Sequence, residues 1–237
     1  MKAMILAAGR GERMRPLSDV TPKPLLRAGG KPLIVWALEH LRDGGLGEII
    51  VNHAHLGAQI EAALGDGARF GVSIRYSAEA EALETAGGIV QALAMLGDKA
   101  FVAAAGDIYS DYDFASLRSH LLRGKLAHLV LVPNPPHNPA GDFALDGTLL
   151  RNGGSSRYTF SGIGLYHPQL FAGVAPGSRH KLAPLLRKAA DAGKATGELY
   201  TGTWFDIGTP ERLASIDREL SREPSSEPAR DYGPGRR

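Results

Sequence analysis

The chain has 237 residues, of which 43% are hydrophobic and 22% are charged, and its formal net charge is +2. This composition is that of a globular protein and excludes a mostly disordered chain, while so small a net charge does not favour a nucleic-acid-binding surface. The sequence has no cysteine and no apolar run of about 18 residues, which excludes a thiol nucleophile and predicts a cytoplasmic protein without a membrane span.

The first half of the chain alternates short apolar strands with helices. Strands are predicted over residues 2–8, 48–53, 72–76, 101–105 and 128–132, and helices over residues 32–42, 60–64, 85–96 and 114–122. In the third helix, Ile89, Leu93 and Leu96 recur at the helical spacing i, i+4 and i+7. This alternation predicts βαβ units in a mostly parallel sheet that is covered by helices on both faces.

The pattern changes after residue 132. Asp146-Gly147 predicts a hairpin turn within 143–150, strands are predicted over 158–166 and 203–207, and helices over 181–192 and 210–220. We therefore expect an α/β fold with a Rossmann-like central sheet in one domain, residues 1–220. A smaller antiparallel sugar-binding lobe is expected within it, over about 133–200. Residues 221–237, rich in Ser, Pro, Gly, Arg and Glu, are expected to form a disordered tail.

A loop rich in glycine and arginine follows the first strand and reads Leu6-Ala7-Ala8-Gly9-Arg10-Gly11-Glu12-Arg13-Met14-Arg15-Pro16-Leu17. Ligands of parallel α/β sheets lie beyond the carboxyl ends of the strands. Gly9 and Gly11 would let backbone N–H groups approach a phosphate there. Met14 replaces the third glycine of a dinucleotide fingerprint and no Gly-Lys-Ser/Thr follows, so the Rossmann dinucleotide and Walker motifs are excluded. Taken alone, the loop is equally compatible with a glycine turn that carries solvated arginines.

The other candidate site residues lie far apart along the chain. Lys23 stands between two prolines, which stiffen the backbone and present its ammonium as a fixed charge for a phosphate. Asp107 directly follows a buried strand, and Asp206 lies in the strand of Trp204-Phe205-Asp206-Ile207-Gly208-Thr209. Two carboxylates at strand ends can hold one Mg²⁺. Alternatively, each is a buried structural carboxylate or, for Asp206, a helix cap.

The order of these motifs resembles that of the NDP-sugar pyrophosphorylases, the sugar-1-phosphate nucleotidyltransferase family. The likeness covers about residues 1–220 and rests on segments 9–17, 21–25, 31–34, 84–89, 106–107, 160–163 and 204–209. Segments 52–57, 65–71, 141–143 and 181–187 further resemble family members that act on N-acetylmuramate 1-phosphate. The resemblance implies transfer of a uridylyl group from UTP to that sugar phosphate, giving UDP-N-acetylmuramic acid and pyrophosphate, in peptidoglycan recycling.

The resemblance also implies roles for individual residues. Asp107 and Asp206 would hold Mg²⁺, and Arg13 and Lys23 would be catalytic. The nucleotide-binding residues would be Leu6, Ala7, Ala8, Gly9, Gly11, Glu79, Thr85 and Gly88. The sugar-binding residues would be Gly141, Ser161 and Glu198.

Several alternatives stay open at this point. Another member of the same family would pair mannose 1-phosphate with GTP or glucose 1-phosphate with dTTP. A non-catalytic nucleotide-sugar sensor could share the fold, although Arg13, Lys23 and both aspartates are present. A glycosyltransferase would need an Asp-x-Asp metal motif, which Asp107-Ile108-Tyr109 lacks. No nucleic-acid or membrane partner is expected, and the sequence does not predict an oligomeric state.

Overall fold

The computed structural model describes residues 1–221 and is organised around a nine-stranded mixed sheet. The strands are β1 (Ala3–Leu6), β2 (Arg27–Ala28), β3 (Lys31–Pro32), β4 (Glu48–His53), β5 (Ser73–Ala78), β6 (Phe101–Ala105), β7 (Ile108–Ser110), β8 (Ala127–Val132), β9 (Phe143–Asp146), β10 (Leu149–Arg151), β11 (Arg157–Tyr166), β12 (Ala195–Leu199) and β13 (Trp204–Asp206). The α-helices are α1 (Leu17–Val20), α2 (Leu33–Asp43), α3 (Gly57–Leu64), α4 (Glu84–Leu96), α5 (Phe114–Ser119), α6 (Leu182–Asp191) and α7 (Pro210–Leu220). Apart from Ser221, the tail expected over 221–237 lies outside the described residues.

The large sheet has the strand order β5-β4-β1-β6-β11-β8-β12-β10-β9. Its first four strands are parallel, so their carboxyl ends share one edge. β11 then runs antiparallel to both β6 and β8. The α/β fold expected from the sequence is confirmed. The antiparallel strands expected in a separate lobe are hydrogen-bonded into the same sheet, so that region continues the central sheet.

Helices cover both faces of this sheet. Neighbouring residues of a strand point to opposite faces, and in β1 Met4 and Ile5 belong to different buried clusters. The Ile5 cluster contains apolar residues of α2, α3 and α5, whereas the Met4 cluster contains those of α4 and α6. A third, smaller cluster includes Met14 and Ile216 and packs α7 against the segment after the first loop. Burial on both faces explains why β1 and β6 read as continuous apolar runs.

Three short pairings were not predicted. β7 pairs with β13 in a small antiparallel ribbon, β2 pairs with β3, and β12 lies parallel to β8 within the main sheet. β12 reads Ala-Thr-Gly-Glu-Leu, which contains one β-branched residue and carries no strong strand signal. Within the described part of the chain, no helix is long and apolar enough to cross a membrane.

Candidate active site

A cleft of about 520 Å³ opens at the carboxyl end of β1. Seven of the residues expected at the site line it, namely Leu6, Ala7, Gly9, Gly11, Arg13, Lys23 and Asp107. They come from the first loop, from the Pro-Lys-Pro segment and from the end of β6, which are separated by up to about a hundred residues of sequence. The fold therefore gathers these residues at the edge of the sheet where α/β proteins bind ligands.

The conformation of the first loop depends on Gly11. Its φ is +68°, a left-handed conformation that favours glycine, and an ideal Cβ would lie 3.1 Å from Lys23 Cβ. The Ser18 hydroxyl donates to the Gly11 carbonyl at 2.7 Å and fixes the turn from outside. The loop thus packs directly against the lysine segment, and a larger residue at position 11 would push the two apart.

Lys23 is the buried cation of the cleft. Its residue is only 7% exposed, and its Nζ donates to Asp107 Oδ2. A short 3-10 turn, residues Lys23–Leu25, holds the lysine backbone through the Leu25 N–H to Pro22 carbonyl bond of 2.8 Å. The ammonium is therefore held in place at the floor of the cleft, where it can neutralise a phosphate oxygen as well as its own aspartate.

Two guanidinium groups converge above Gly208. An ideal Cβ at this glycine would lie 3.0 Å from one nitrogen of Arg13 and 2.7 Å from one nitrogen of Arg212. Arg212 also donates from Nη1 to Asp206 Oδ2 at 2.7 Å. Arg10, which also lines the cleft, donates to the Ser18 carbonyl at 2.9 Å. The charged lining residues are the cations Arg10, Arg13 and Lys23 and the carboxylates Glu12 and Asp107, so a small excess of positive charge faces the cleft.

Asp206 is the neighbour of Asp107 across the small ribbon. It pairs with Ile108 in the β7–β13 register, and the Ile207 N–H donates to the Asp107 carbonyl at 3.2 Å. The side chain of Asp206 is engaged by Arg212 and lies 3.0 Å from His137 Nε2. The strand pairing thus makes the two expected metal ligands neighbours in the backbone, whereas Asp107 lines the cleft and Asp206 does not; a cationic side chain contacts each carboxylate.

The cleft adjoins a second cavity of about 350 Å³, which shares Leu6 and Gly9 with it and is lined among others by Ala8 and Thr85. The expected residues Glu79 and Gly88 lie behind its wall. Glu79 is 5% exposed and accepts hydrogen bonds from Asn52 Nδ2 at 2.6 Å and from the Leu83 N–H at 2.8 Å. An ideal Cβ on Gly88 would lie 2.5 Å from Glu79 Oε1. Glu79 and Gly88 therefore pack behind the wall of the second cavity. Asn52, which contacts Glu79, lines the cavity itself.

A third cavity, of about 340 Å³, adjoins the second and shares Leu6 and Thr85 with it. Of the expected sugar-binding residues, Gly141 and Ser161 lie next to residues that line this groove, Asp142 and Gly162. Gly141 has φ +62°, and an ideal Cβ would lie 2.8 Å from Asn134 Oδ1. This glycine is therefore required by the tight backbone packing around it.

Ser161 is 1% exposed and lies in the irregular segment of β11 between Phe160 and Gly164. Its hydroxyl donates to the Val130 carbonyl at 2.7 Å and accepts from the Ile163 N–H at 3.1 Å. The hydroxyl is thus fully used within the protein. A direct contact between this side chain and a sugar, as expected from the sequence, is not supported by the structure.

The expectation that Glu198 contacts the sugar needs correction. Glu198 pairs with Val130, whose side chain belongs to the face of α2 and α5, whereas the groove is on the opposite face with α6. Its carboxylate accepts from the Tyr112 hydroxyl and lies 3.9 Å from His128 Nε2. His128, and after it Tyr112, hold the pKa of Glu198 below its ordinary value although burial opposes them. Glu198 is therefore part of a polar cluster away from the three cavities.

The residues that line the site without having been expected there include Arg10, Asn52, Lys181 and Arg187. Asn52 is visible in retrospect, since it is a polar residue near the carboxyl end of a buried strand, and its Oδ1 accepts from the Ala7 N–H at 2.9 Å. Lys181 and Arg187 lie at and within α6 and line the third cavity. Segment 181–187 contributes to the resemblance noted above, but exposed cations on a helix are a common pattern and do not by themselves indicate a role for either residue.

The fold and the cleft are those of an α/β protein with lysine and arginine side chains at the carboxyl edge of its sheet. Residues 2–146 match the family model described as nucleotidyl transferase. The chain belongs to this family, among its sugar-1-phosphate nucleotidyltransferases. This confirms the resemblance expected from the motifs.

Several curated relatives cover most of the chain. An N-acetylmuramate alpha-1-phosphate uridylyltransferase from Neisseria meningitidis serogroup B is 54% identical over 90% of this chain and 95% of its own length. A protein of the same name from Caulobacter vibrioides is 29% identical over 92% of this chain and 96% of its own length. A UTP–glucose-1-phosphate uridylyltransferase from Synechocystis is 31% identical over 94% of this chain, which spans 64% of that relative.

Solved structures share the fold. A Bacillus anthracis structure described as a glucose-1-phosphate thymidylyltransferase in complex with sucrose superposes with a TM-score of 0.83 at 24% identity. The match covers 94% of this chain and 96% of that one. A structure of apo UDP-glucose pyrophosphorylase gives a TM-score of 0.77 over 92% of this chain, at 14% identity. The architecture is thus that of sugar nucleotidyltransferases over nearly the whole described chain.

Proposed function

We propose that the protein transfers the uridylyl group of UTP to N-acetylmuramate 1-phosphate, yielding UDP-N-acetylmuramic acid and pyrophosphate. The observation that carries the proposal is the 54% identity with the Neisseria uridylyltransferase over 95% of that protein's length. Such a product serves peptidoglycan recycling, and a cytoplasmic location would suit it. The likeness extends through both the nucleotide cleft and α6, so it includes the residues that would distinguish one sugar from another.

The reaction needs no nucleophile from the protein. A phosphate oxygen of the sugar 1-phosphate attacks the α-phosphorus of UTP and forms a new P–O bond. The bond from the α-phosphorus to the oxygen bridging to the β-phosphate breaks, and pyrophosphate leaves with the electron pair. The second pKa of a phosphate monoester is about 6, so the attacking oxygen is already anionic near pH 7 and needs no general base. What remains for the protein is to align two polyanions and neutralise their charge.

The residues of the cleft are suited to that task. The Lys23 ammonium would neutralise the α-phosphate and the incoming sugar phosphate from the floor of the cleft. Arg13 would bind the leaving pyrophosphate, while the backbone N–H groups near Gly9 and Gly11 approach its oxygens. Arg10, which lines the same cleft, adds a further positive charge near the phosphates. Thr85, with Leu6 and Ala8, would shape the part of the cavity that receives the nucleoside.

Asp107 and Asp206 are the residues that would hold a divalent cation, which we propose to be Mg²⁺. Among the described residues there is no group of three or more histidine, cysteine, aspartate or glutamate side chains that could enclose a metal. A site of two carboxylates suits Mg²⁺, because this ion keeps waters and substrate phosphate oxygens in its shell. When bound, the cation would reduce the repulsion between the two phosphates. Lys23 and Arg212, which pair with these carboxylates here, would then be released toward phosphate oxygens.

Two other functions make different demands. A mannose 1-phosphate guanylyltransferase or glucose 1-phosphate thymidylyltransferase would use the same cleft with another base and a neutral sugar. A non-catalytic nucleotide-sugar sensor would bind the product without turnover. A sugar held over about residues 133–200 of the single domain 1–220 is common to all of them.

The proposal is tested by measuring pyrophosphate release from a panel of substrate pairs. UTP, dTTP, GTP and CTP are each combined with the 1-phosphates of N-acetylmuramate, N-acetylglucosamine, glucose and mannose, with Mg²⁺ present. We expect UTP with N-acetylmuramate 1-phosphate to give the highest kcat/KM. A higher value for another pair would replace the proposed substrates, and the absence of turnover with every pair would favour the sensor.

A further inference from the structure

We infer that Lys181 and Arg187 bind a carboxylate of the sugar substrate and thereby select an acidic sugar over a neutral one. N-acetylmuramate differs from N-acetylglucosamine by a lactyl ether, whose carboxylate is ionised near pH 7. The inference rests on the proposed function and deepens it, because it names the groups that would recognise the lactyl carboxylate. It is carried by unpaired positive charge on one wall of the third cavity.

Helix α6 forms that wall. Leu182 and Leu186 are buried in the core beneath the sheet, which fixes the orientation of the helix and leaves Lys181 and Arg187 exposed beside the groove. The Arg187 guanidinium lies over the Phe143 ring, with its carbon 5.4 Å from the ring centre. A guanidinium that lies over a buried aromatic ring is held in place by the ring. Its N–H groups can still donate hydrogen bonds in the plane of the guanidinium.

Neither cation has a partner within the described chain. Among residues 1–221, no carboxylate or other acceptor pairs with the Lys181 ammonium or the Arg187 guanidinium. In the same stretch, the first backbone N–H groups of α6, those of Leu182 and Ala183, donate to no backbone carbonyl. Free N–H groups at a helix start add to the attraction for an anion.

The acidic residues of the groove are already engaged elsewhere. Glu84 lies 3.8 Å from the Arg179 guanidinium. Asp142 Oδ2 accepts from the Phe160 N–H at 2.8 Å and from Asn138 Nδ2 at 3.1 Å. Neither carboxylate contacts Lys181 or Arg187, so both cations remain available to a ligand.

These two cations lie away from the first cavity, where the phosphates would bind. Lys23 and Arg13 line the first cavity, whereas Lys181 and Arg187 line the third, and the two are joined through Leu6. A sugar 1-phosphate bound between them would place its phosphate near Lys23 and its ring along the groove. A neutral sugar would leave both cations of α6 unmatched, whereas a carboxylate on the ring would form two charge-assisted hydrogen bonds.

The test compares kcat/KM for N-acetylmuramate 1-phosphate and N-acetylglucosamine 1-phosphate, with UTP, in the wild type and in Lys181→Met and Arg187→Met. Both side chains are exposed, so the variants should fold, which is checked by thermal unfolding. Lys188→Met is the matched control, because Lys188 is an exposed lysine of the same helix that does not line the groove. Arg187→Lys is the conservative variant.

We expect each Met variant to lower kcat/KM for the muramate substrate about 10- to 100-fold, mainly through KM. Activity with N-acetylglucosamine 1-phosphate should change less than about threefold, and Arg187→Lys should recover part of the loss. Equal losses for both sugars, or no loss in either variant while the wild type uses the muramate substrate, would overturn the inference alone. A wild type that does not use the muramate substrate would overturn the proposed function and the inference with it.

Discussion

Replacing Lys23 by Met removes one buried charge from the phosphate cleft and keeps a side chain of similar length. In the wild type the ammonium is almost inaccessible and contacts Asp107. An ammonium about 4 Å from a phosphate oxygen is worth about 4 kcal/mol at an effective dielectric constant of about 20. Losing one pre-positioned charge at a reacting centre costs about 10²- to 10³-fold in kcat. We therefore expect kcat to fall by this factor.

The assay is pyrophosphate release at saturating UTP and sugar phosphate, with stability followed separately by thermal unfolding. Lys31→Met is the matched control, because Lys31 pairs with the buried carboxylate of Glu39 at 2.8 Å and lies outside the cleft. It should lower the unfolding temperature and leave kcat within about twofold. If Lys23→Met kept more than a tenth of the wild-type kcat, or if Lys31→Met lost as much, the role of the Lys23 charge in the reaction would be refuted.

Four further variants address the metal site, the loop and wall of the nucleotide cavity, and the polar cluster. Asp206→Asn should weaken Mn²⁺ binding, measured by electron paramagnetic resonance with UTP present, by at least about tenfold, and unchanged binding would remove Asp206 from the metal site. Gly88→Ala should destabilise the fold by about 1–3 kcal/mol through its clash with Glu79. In Gly9→Ala the new Cβ meets no atom within 4 Å, so stability should be unchanged while KM for UTP rises. Equal stabilities of Gly88→Ala and Gly9→Ala would contradict the proposed clash. Glu198→Gln should leave turnover unchanged and lose stability at pH 7. Because the folded-state pKa of Glu198 is lowered, this stability difference should shrink as the pH falls below about 4.5 and through the folded-state value, and a difference that grows on acidification would exclude the proposed charge interaction.

Much of the phosphate cleft could be predicted because its residues lie in loops whose position the parallel strands determine. Lys23 and Asp107 are 84 residues apart, yet each stands at a point that the α/β pattern places on the ligand edge of the sheet. Strands β4 and β6 were predicted with their observed limits for the same reason. In this part of the chain, the turn residues and the hydrophobic pattern both predict the same strands and loops.

The residues expected to bind the sugar could not be placed in the same way. Their position depends on which face of the sheet each residue of β11 and β12 points to, and the sequence patterns of these strands are weak. β12 was not expected, so the face on which Glu198 lies could not be derived. The register of β11 shifts between Phe160 and Gly164, and Ser161 within that segment is buried, which the sequence does not indicate. Arg187 reaches the groove only because Leu182 and Leu186 fix the rotation of α6.

The most direct test of the account is the identification of the products formed from UTP and N-acetylmuramate 1-phosphate by the wild-type protein with Mg²⁺. Mass spectrometry and phosphorus nuclear magnetic resonance would follow both products over time. The account predicts UDP-N-acetylmuramic acid and pyrophosphate in equal amounts, with no uridylylated protein at any time. The account would be contradicted if neither product formed while another sugar 1-phosphate was converted. A uridylyl group bound covalently to the chain would also contradict it.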